Sequence, residues 1–181
     1  MVKYTSDVPC ITIQNKKQGG NMNSKIKDIV RISIIASMYI VFTIINPFSY
    51  NAIQFRISEI LMILCFFRKD YSIGLILGCF ISNLFSEIML YDIIFGTLAT
   101  VLACICMMFS KNIYVSVIYP IIFNAIIVGF ELYLAFQSPF LLNALYVFIG
   151  EATVMIIGVL VFSKLRKNSH FMQLINANQN V

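Results

Sequence analysis

The chain has 181 residues, 60% of them hydrophobic and only 12% charged, with a mean hydropathy of +0.87. A soluble domain keeps roughly a quarter of its residues charged to hold a wet surface, so a water-covered exterior is excluded and membrane lipid becomes an obligatory partner. The net charge of +5 does not point to nucleic acid, because the lysines and arginines that orient a membrane protein produce the same sum.

Residues 1–24 are polar and unpatterned, and they lack the apolar core and small-residue cleavage site of a signal peptide. They are expected to be disordered or untranslated. The run Gln18-Gly19-Gly20-Asn21-Met22 can be encoded so that a ribosome-binding AGGAGG lies just ahead of Met22. From there hydropathy predicts one membrane domain over 25–167 and a cytoplasmic tail over 168–181. Each crossing of a hydrocarbon core of about 30 Å takes about 20 helical residues. Six candidate crossings run over Asp28–Pro47, Ala52–Phe67, Tyr71–Phe85, Asp92–Phe109, Ile113–Phe136 and Phe140–Phe162. The second and third are short for full spans. The runs are continuously apolar and lack the alternation of a membrane barrel, so the expected fold is an all-α bundle of six transmembrane helices.

Basic residues set the orientation. With the N-terminus inside, Lys25, Lys27 and Arg31, then Arg68 and Lys69, then Lys111, then Lys164, Arg166 and Lys167 all face the cytoplasm. Only Arg56 falls near the outer face, so both termini are expected to be cytoplasmic. Small residues recur at four-residue spacing in three rows: Gly74, Gly78, Ser82 and Ser86; Ser33 and Ser37; Ala99 and Ala103. Such rows let helices approach closely in lipid, either for bundle packing or as a docking face. Of the cysteines, Cys65, Cys79, Cys104 and Cys106 lie in apolar runs without a CxxC pair, so they read as small core residues.

The acids carry the functional signal. Glu59, Glu87, Asp92, Glu131 and Glu151 fall in the outer half or outer loops, opposite the basic side. An acid mid-helix costs about 2.5–3.5 kcal/mol even on a lenient scale, so it persists only when paired or facing a wet cavity. Arg56 and Glu59 stand three residues apart, a spacing that puts them on one helix face. One reading makes Glu87 and Asp92 solvated loop acids and Arg56 with Glu59 a structural pair. The other gathers Glu59, Asp92, Glu131 and Glu151 with the amides Asn83 and Asn124 into a pocket. Carboxylates and amides there would accept the adjacent N–H groups of a guanine-like edge. Phe85, Tyr91, Phe95, Tyr133 and Tyr146 are available either as stacking faces or as interface anchors. There is no phosphate-binding glycine loop, no HExxH, and one histidine, His170, in the tail. An enzyme is therefore not expected, no cofactor is implied, and energy for active transport would come from outside the chain.

Several segments resemble the queuosine-precursor transporter family. Ala52 to Glu59 (AIQFRISE) resembles its IQFRxSE segment, Gly78 to Phe85 (GCFISNLF) its Gly-x4-Asn-Leu segment, and Asp92 to Thr100 (DIIFGTLAT) its DxxFGxLAT segment. Asn124 to Gly129 and Gly150-Glu151 are similar to its last two blocks; Ser86-Glu87 departs from the glycine-rich sequence expected there. The resemblance implies a substrate-binding S component of an energy-coupling factor (ECF) importer, with six helices. Its implied ligand is a 7-deazaguanine: the aminomethyl or cyano base, or queuine. Its implied partners are a transmembrane coupling subunit and two ATPase subunits, docked through the Ser33 and Ser37 face. The expected ligand contacts are Glu59, Asn83, Asp92, Asn124, Glu131 and Glu151, with Arg56 orienting Glu59. The alternatives are an S component for another vitamin-like ligand, a carrier using the acids as proton or sodium sites, and a membrane scaffold. A start at Met22 predicts that untagged native protein has an intact mass without residues 1–21; a mass including Met1 would refute it.

Overall fold

The computed structural model describes residues 20–50 and 54–175, with side chains from Lys25 onward. Residues 1–19, which hold most of the expected N-terminal extension, and the last six lie outside the described residues. Every regular element among the described residues is helical. The helices are α1 (Gly20–Ile45), α2 (Ile57–Phe67), α3 (Tyr71–Asn83), α4 (Met89–Phe109), α5 (Ile113–Phe136), α6 (Phe140–Leu165) and the short α7 (Ser169–Leu174). Four of these, α1, α4, α5 and α6, are long and apolar enough to cross a membrane.

The chain breaks where its chemistry dictates. After α1, Asn46 accepts from the Phe48 amide at 3.1 Å, and Pro47 cannot continue the helical ladder. Arg68 is extended (φ −151°, ψ 120°) and stops α2. Gln137 takes the left-handed conformation (φ 54°) beyond α5, and Pro139 opens α6. Asn168 caps α7 by accepting from the His170 amide at 3.0 Å.

Helices α2 and α3 are each about 20 Å long, short of a 30 Å hydrocarbon core. For α2, position resolves the difficulty, whereas α3 keeps Ile73, Leu77 and Phe80 exposed. Leu61 through Phe67 are all buried, and α1, α3, α4 and α6 surround α2. Irregular backbone at membrane depth is tolerated when protein rather than lipid covers it. The first seven residues of α2, Ile57–Ile63, form a 3-10 helix, where the sequence had suggested an α-helix from Ala52. The long helices turn apolar side chains such as Ile45, Phe109, Leu141 and Leu160 outward, as a lipid-facing surface requires.

Contacts fix the direction of each pass. Tyr39 meets Glu59 and Asn46 meets Phe55, so α2 descends beside α1. A Cβ at Gly74 would lie 2.6 Å from the Ile32 carbonyl oxygen, and one at Gly78 would lie 2.8 Å from Tyr39 Cβ, so α3 ascends parallel to α1. Gly129 opposes Ala144 and Gly158 opposes Ile63, bringing α5 and α6 together and α6 onto α2. The glycine row of α3 is thus a packing device, and Ala99 and Ala103 are likewise buried. Ser33 and Ser37 differ: both are exposed, in a shallow groove on α1 with Ile34, Met38 and Val41.

Charge is sorted between the two ends of the bundle. Arg68 bridges Asp28 and Asp70, each at 2.9 Å, and Arg31 reaches Asp28 at 3.4 Å. Lys69 lies 4.9 Å from the Phe109 ring, and the Tyr71 hydroxyl donates to the Ile175 carbonyl at 2.6 Å. The start of α1 and the end of the described chain therefore share one basic end.

At Gly129 a Cβ would lie 2.8 Å from Ala144 Cα, where neither backbone can yield cheaply. Gly129→Leu is expected to lower stability by about 1–3 kcal/mol, read as an earlier thermal transition in detergent, while Ser37→Ala on the exposed face leaves the transition in place. Unaltered melting of the Gly129 variant would show that this approach does not limit packing.

Candidate ligand-binding site

The site is built around Arg56, which is 4% exposed. It is extended (φ −93°, ψ 99°) immediately before α2, following a turn in which Gln54 adopts a left-handed φ of 45°. The Asn46 side chain holds this turn by donating to the Phe55 carbonyl at 2.5 Å. One guanidinium nitrogen donates to Asp92 Oδ1 at 3.1 Å, and Nε donates to the Ser49 carbonyl at 3.1 Å. The Tyr50 ring stands 6.0 Å from the guanidinium carbon, within cation–π range.

Asp92 opens a π-turn, Asp92–Gly96, inside α4. The extra residue of such a turn re-aims the side chains around it and often marks a functional position. Ser86 donates to Asp92 Oδ2, and the Asn83 amide donates to the Asp92 carbonyl at 2.8 Å. Gly96 keeps that approach open, since a Cβ there would lie 3.0 Å from Asn83 Nδ2.

Three further carboxylates converge on this pair. Tyr39 donates to Glu59 Oε1 at 2.5 Å, and the neighbouring Ser58 accepts from Thr43 at 2.7 Å. Glu131 from α5 lies beside Asp92, and Glu151 from α6 faces Asn124 and neighbours Glu59. Arg56 is within electrostatic reach of Glu59, Asp92, Glu131 and Glu151. The side chains of Glu59, Glu131 and Glu151 are each at most 2% exposed. Yet Glu59 Oε2, Asn83 Oδ1, both oxygens of Glu131 and Glu151 Oε1 are buried without a donor. With the glutamates ionised, each of these oxygens is an acceptor, and Ser49 Oγ, also buried without a partner, can donate or accept. A buried acceptor left unmade costs about 1–3 kcal/mol, more when charged, so the carboxylate and amide oxygens of the cluster call for donors.

Asp92 also borders a mouth of about 440 Å³, lined by Tyr50, Gln54, Ser86, Glu87 and Tyr146 among others. Glu87 is exposed at its rim, as the solvated-acid reading of the sequence has it, whereas Asp92 is 2% exposed and paired.

The seven residues picked from the sequence, Arg56, Glu59, Asn83, Asp92, Asn124, Glu131 and Glu151, are thus brought to one region from five segments of the chain. One expected pairing differs. Arg56 is not on a helix with Glu59, because α2 begins one residue later; the arginine extends to Asp92, and Tyr39 orients Glu59. Among the aromatics, Tyr146 reaches the mouth, while Phe85, Tyr91 and Tyr133 point outward and Phe95 stacks on Tyr91 at 6.4 Å. Sequence reasoning missed Tyr39 and Tyr50. A signal existed for Tyr39: a tyrosine mid-way along an apolar helix needs a partner for its hydroxyl when buried.

Removing one member of a buried ion pair strands the other. Arg56→Gln is expected to cost about 3–5 kcal/mol, and Arg56→Gln with Asp92→Asn to recover part of that loss. Unfolding of both variants in detergent measures the coupling, and an Arg56→Gln protein as stable as the parent would show the pair is not structural.

The comparisons with known proteins identify the family. The model of the QueT transporter family matches residues 29–167. A curated relative, the queuosine precursor transporter QueT of Lactococcus lactis subsp. cremoris (strain MG1363), is 33% identical over 161 residues, covering 80% of this chain and 95% of that protein. No solved structure matches significantly. A match through every segment that builds the site makes this multi-pass helical membrane protein a member of the QueT transporter family.

Proposed function

We propose that the chain is the substrate-capturing S component of an ECF-type importer for a 7-deazaguanine precursor of queuosine. The observation that carries the reading is the set of unpartnered Glu59, Asn83, Glu131 and Glu151 oxygens gathered around a single arginine. A 7-deazaguanine presents N1–H, the 2-amino group and the pyrrole N–H as donors on one flat skeleton. The aminomethyl base adds an ammonium, which supplies positive charge where carboxylates outnumber Arg56. The cyano base offers a nitrile acceptor at the same position and leaves that imbalance in place. The relative's name supports the substrate class, and the cluster favours the aminomethyl base within it.

On this reading the chain crosses the plasma membrane six times, with the short α2 and α3 completing passes inside the bundle. Both termini are cytoplasmic, since the basic end carries Lys25, Lys27, Arg31, Arg68, Lys69, Lys164, Arg166 and Lys167. The acidic mouth then faces outside. A coupling subunit and two ATPase subunits supply energy, docking on the exposed Ser33 and Ser37 face of α1, where small side chains permit close helix approach.

Calorimetry of the purified chain with the aminomethyl base, the cyano base and queuine tests the substrate. The expected order places the aminomethyl base first. Glu131→Gln and Glu151→Gln should each weaken its binding by about 1–3 kcal/mol, up to about a hundredfold in Kd. Absence of heat with all three ligands, in folded protein, would reject the substrate class; tighter binding of the cyano base would reject only the role given to excess negative charge. Uptake driven by an ion gradient without the ATPase subunits would replace the ECF reading with a secondary carrier.

A further inference from the structure

At the basic end, away from the acidic cluster, a groove of about 550 Å³ opens between the start of α5 and the end of α6. Ile113 and Leu160 line its apolar side, Tyr114 stands at its edge, and Lys164, Arg166 and Lys167 supply its charge. All three cations are exposed, and among the described residues no carboxylate forms an ion pair with them. The other basic-end arginines differ in this respect: Asp28 and Asp70, the acids of that end, are taken by Arg31 and Arg68. Ser163 is not a donor for a guest either, because its hydroxyl already donates to the Val159 carbonyl at 2.5 Å. The groove is therefore cationic at one side, apolar at the other and without an internal counter-ion.

We infer that this groove holds the headgroup of an anionic phospholipid, with the phosphodiester at Lys164, Arg166 and Lys167 and the upper acyl chain along Leu160. Two observations favour a lipid over a soluble anion. The groove lies where α6 passes from its exposed apolar stretch, Ile156, Ile157, Leu160 and Val161, to its charged end. An amphiphile of that orientation matches both halves, whereas free phosphate matches one. Tyr114, 58% exposed, also sits at the depth where tyrosines meet headgroups. Basic pockets between helices at this level hold anionic headgroups by charge and leave the chains in the bilayer. The assignment rests on the chain being embedded in a membrane and is independent of which ligand the acidic cluster takes.

Native mass spectrometry of the full chain, released from mixed micelles of dioleoylphosphatidylglycerol and dioleoylphosphatidylcholine, reads the site directly. One phosphatidylglycerol is expected to stay bound preferentially, and millimolar sodium phosphate should not displace it. The triple variant Lys164→Gln, Arg166→Gln, Lys167→Gln should lower its retention about a hundredfold, given roughly fivefold per cation near a charged headgroup. Lys25→Gln, Lys27→Gln, Lys69→Gln removes equal charge elsewhere at that end and should retain the lipid. The thermal transition of each variant in detergent reports folding separately. Equal retention of both lipids, displacement by phosphate, or equal loss in the two triple variants would overturn the inference. So would unchanged lipid retention in the groove variant together with lost assembly on the ATPase-coupled subunits, an outcome that assigns the groove to an acidic protein partner.

Discussion

One buried ion pair, Arg56 with Asp92, organises the functional end of this protein. Both side chains are at most 4% exposed and meet at 3.1 Å. Two charges taken out of water are costly, and their attraction offsets that cost only with good geometry and further hydrogen bonds. Here those bonds are present: Ser49 accepts from Arg56, and Ser86 donates to Asp92. The pair therefore ties the segment after α1, the entry to α2, the loop after α3 and the π-turn of α4 into one unit. Glu131 and Glu151 can sit nearby only because that guanidinium is fixed. Without it, the acidic end of the bundle would hold buried carboxylates with no counter-charge among the described residues.

The irregular backbone follows from the same requirement. A regular helix through Arg56 would have placed it over Glu59, on its own element, where it could not link α2 to α4. The left-handed Gln54 and the π-turn at Asp92–Gly96 each depart from the lowest-cost conformation, while Arg56 between them is ordinary extended backbone. Together they aim the arginine and the aspartate at one another. Such departures persist where surrounding contacts over-determine them, and Asn46, Asn83 and Gly96 supply those contacts. On the proposed six-pass reading the shortness of α2 and α3 has the same origin, since residues beyond their ends are spent on the site rather than on helix.

Much of this was legible from the residues. Continuous apolar runs marked the helices, and the starts of α3 and α5 fall at Tyr71 and Ile113 as hydropathy places them. The opposition of basic and acidic residues located the site's end of the bundle, because charge in an apolar chain is rare enough that each instance is informative. Pairing was not legible. The Arg56 to Glu59 spacing suggested a contact that holds only in a regular helix, and spacing carries no sign that the helix starts after Arg56. The partnership with Asp92, 36 residues away, depends on how α2 and α4 pack. Nor could spacing separate the small-residue rows: Gly74 and Gly78 are buried against α1, while Ser33 and Ser37, with a similar pattern, face outward.

The two ends of the bundle handle charge in opposite ways, and the difference bears on transport. At the basic end the lysines and Arg166 are exposed and only Arg31 and Arg68 are half-buried, so water, salt and headgroups screen most of the charge. At the acidic end burial removes that screening, and the unpartnered oxygens of Glu59, Glu131 and Glu151 keep a standing demand for donors. A ligand that meets the demand gains from every group it satisfies and stabilises the folded bundle by mass action. On the proposed reading the same feature explains tight capture and the need for an energy source: a cluster that holds its ligand by satisfying buried carboxylates releases it only when those contacts are remade elsewhere or pulled apart. On that same reading the Ser33 and Ser37 face of α1 is the surface that delivers the work, because among the described residues it is the small-residue row of the three that stays exposed.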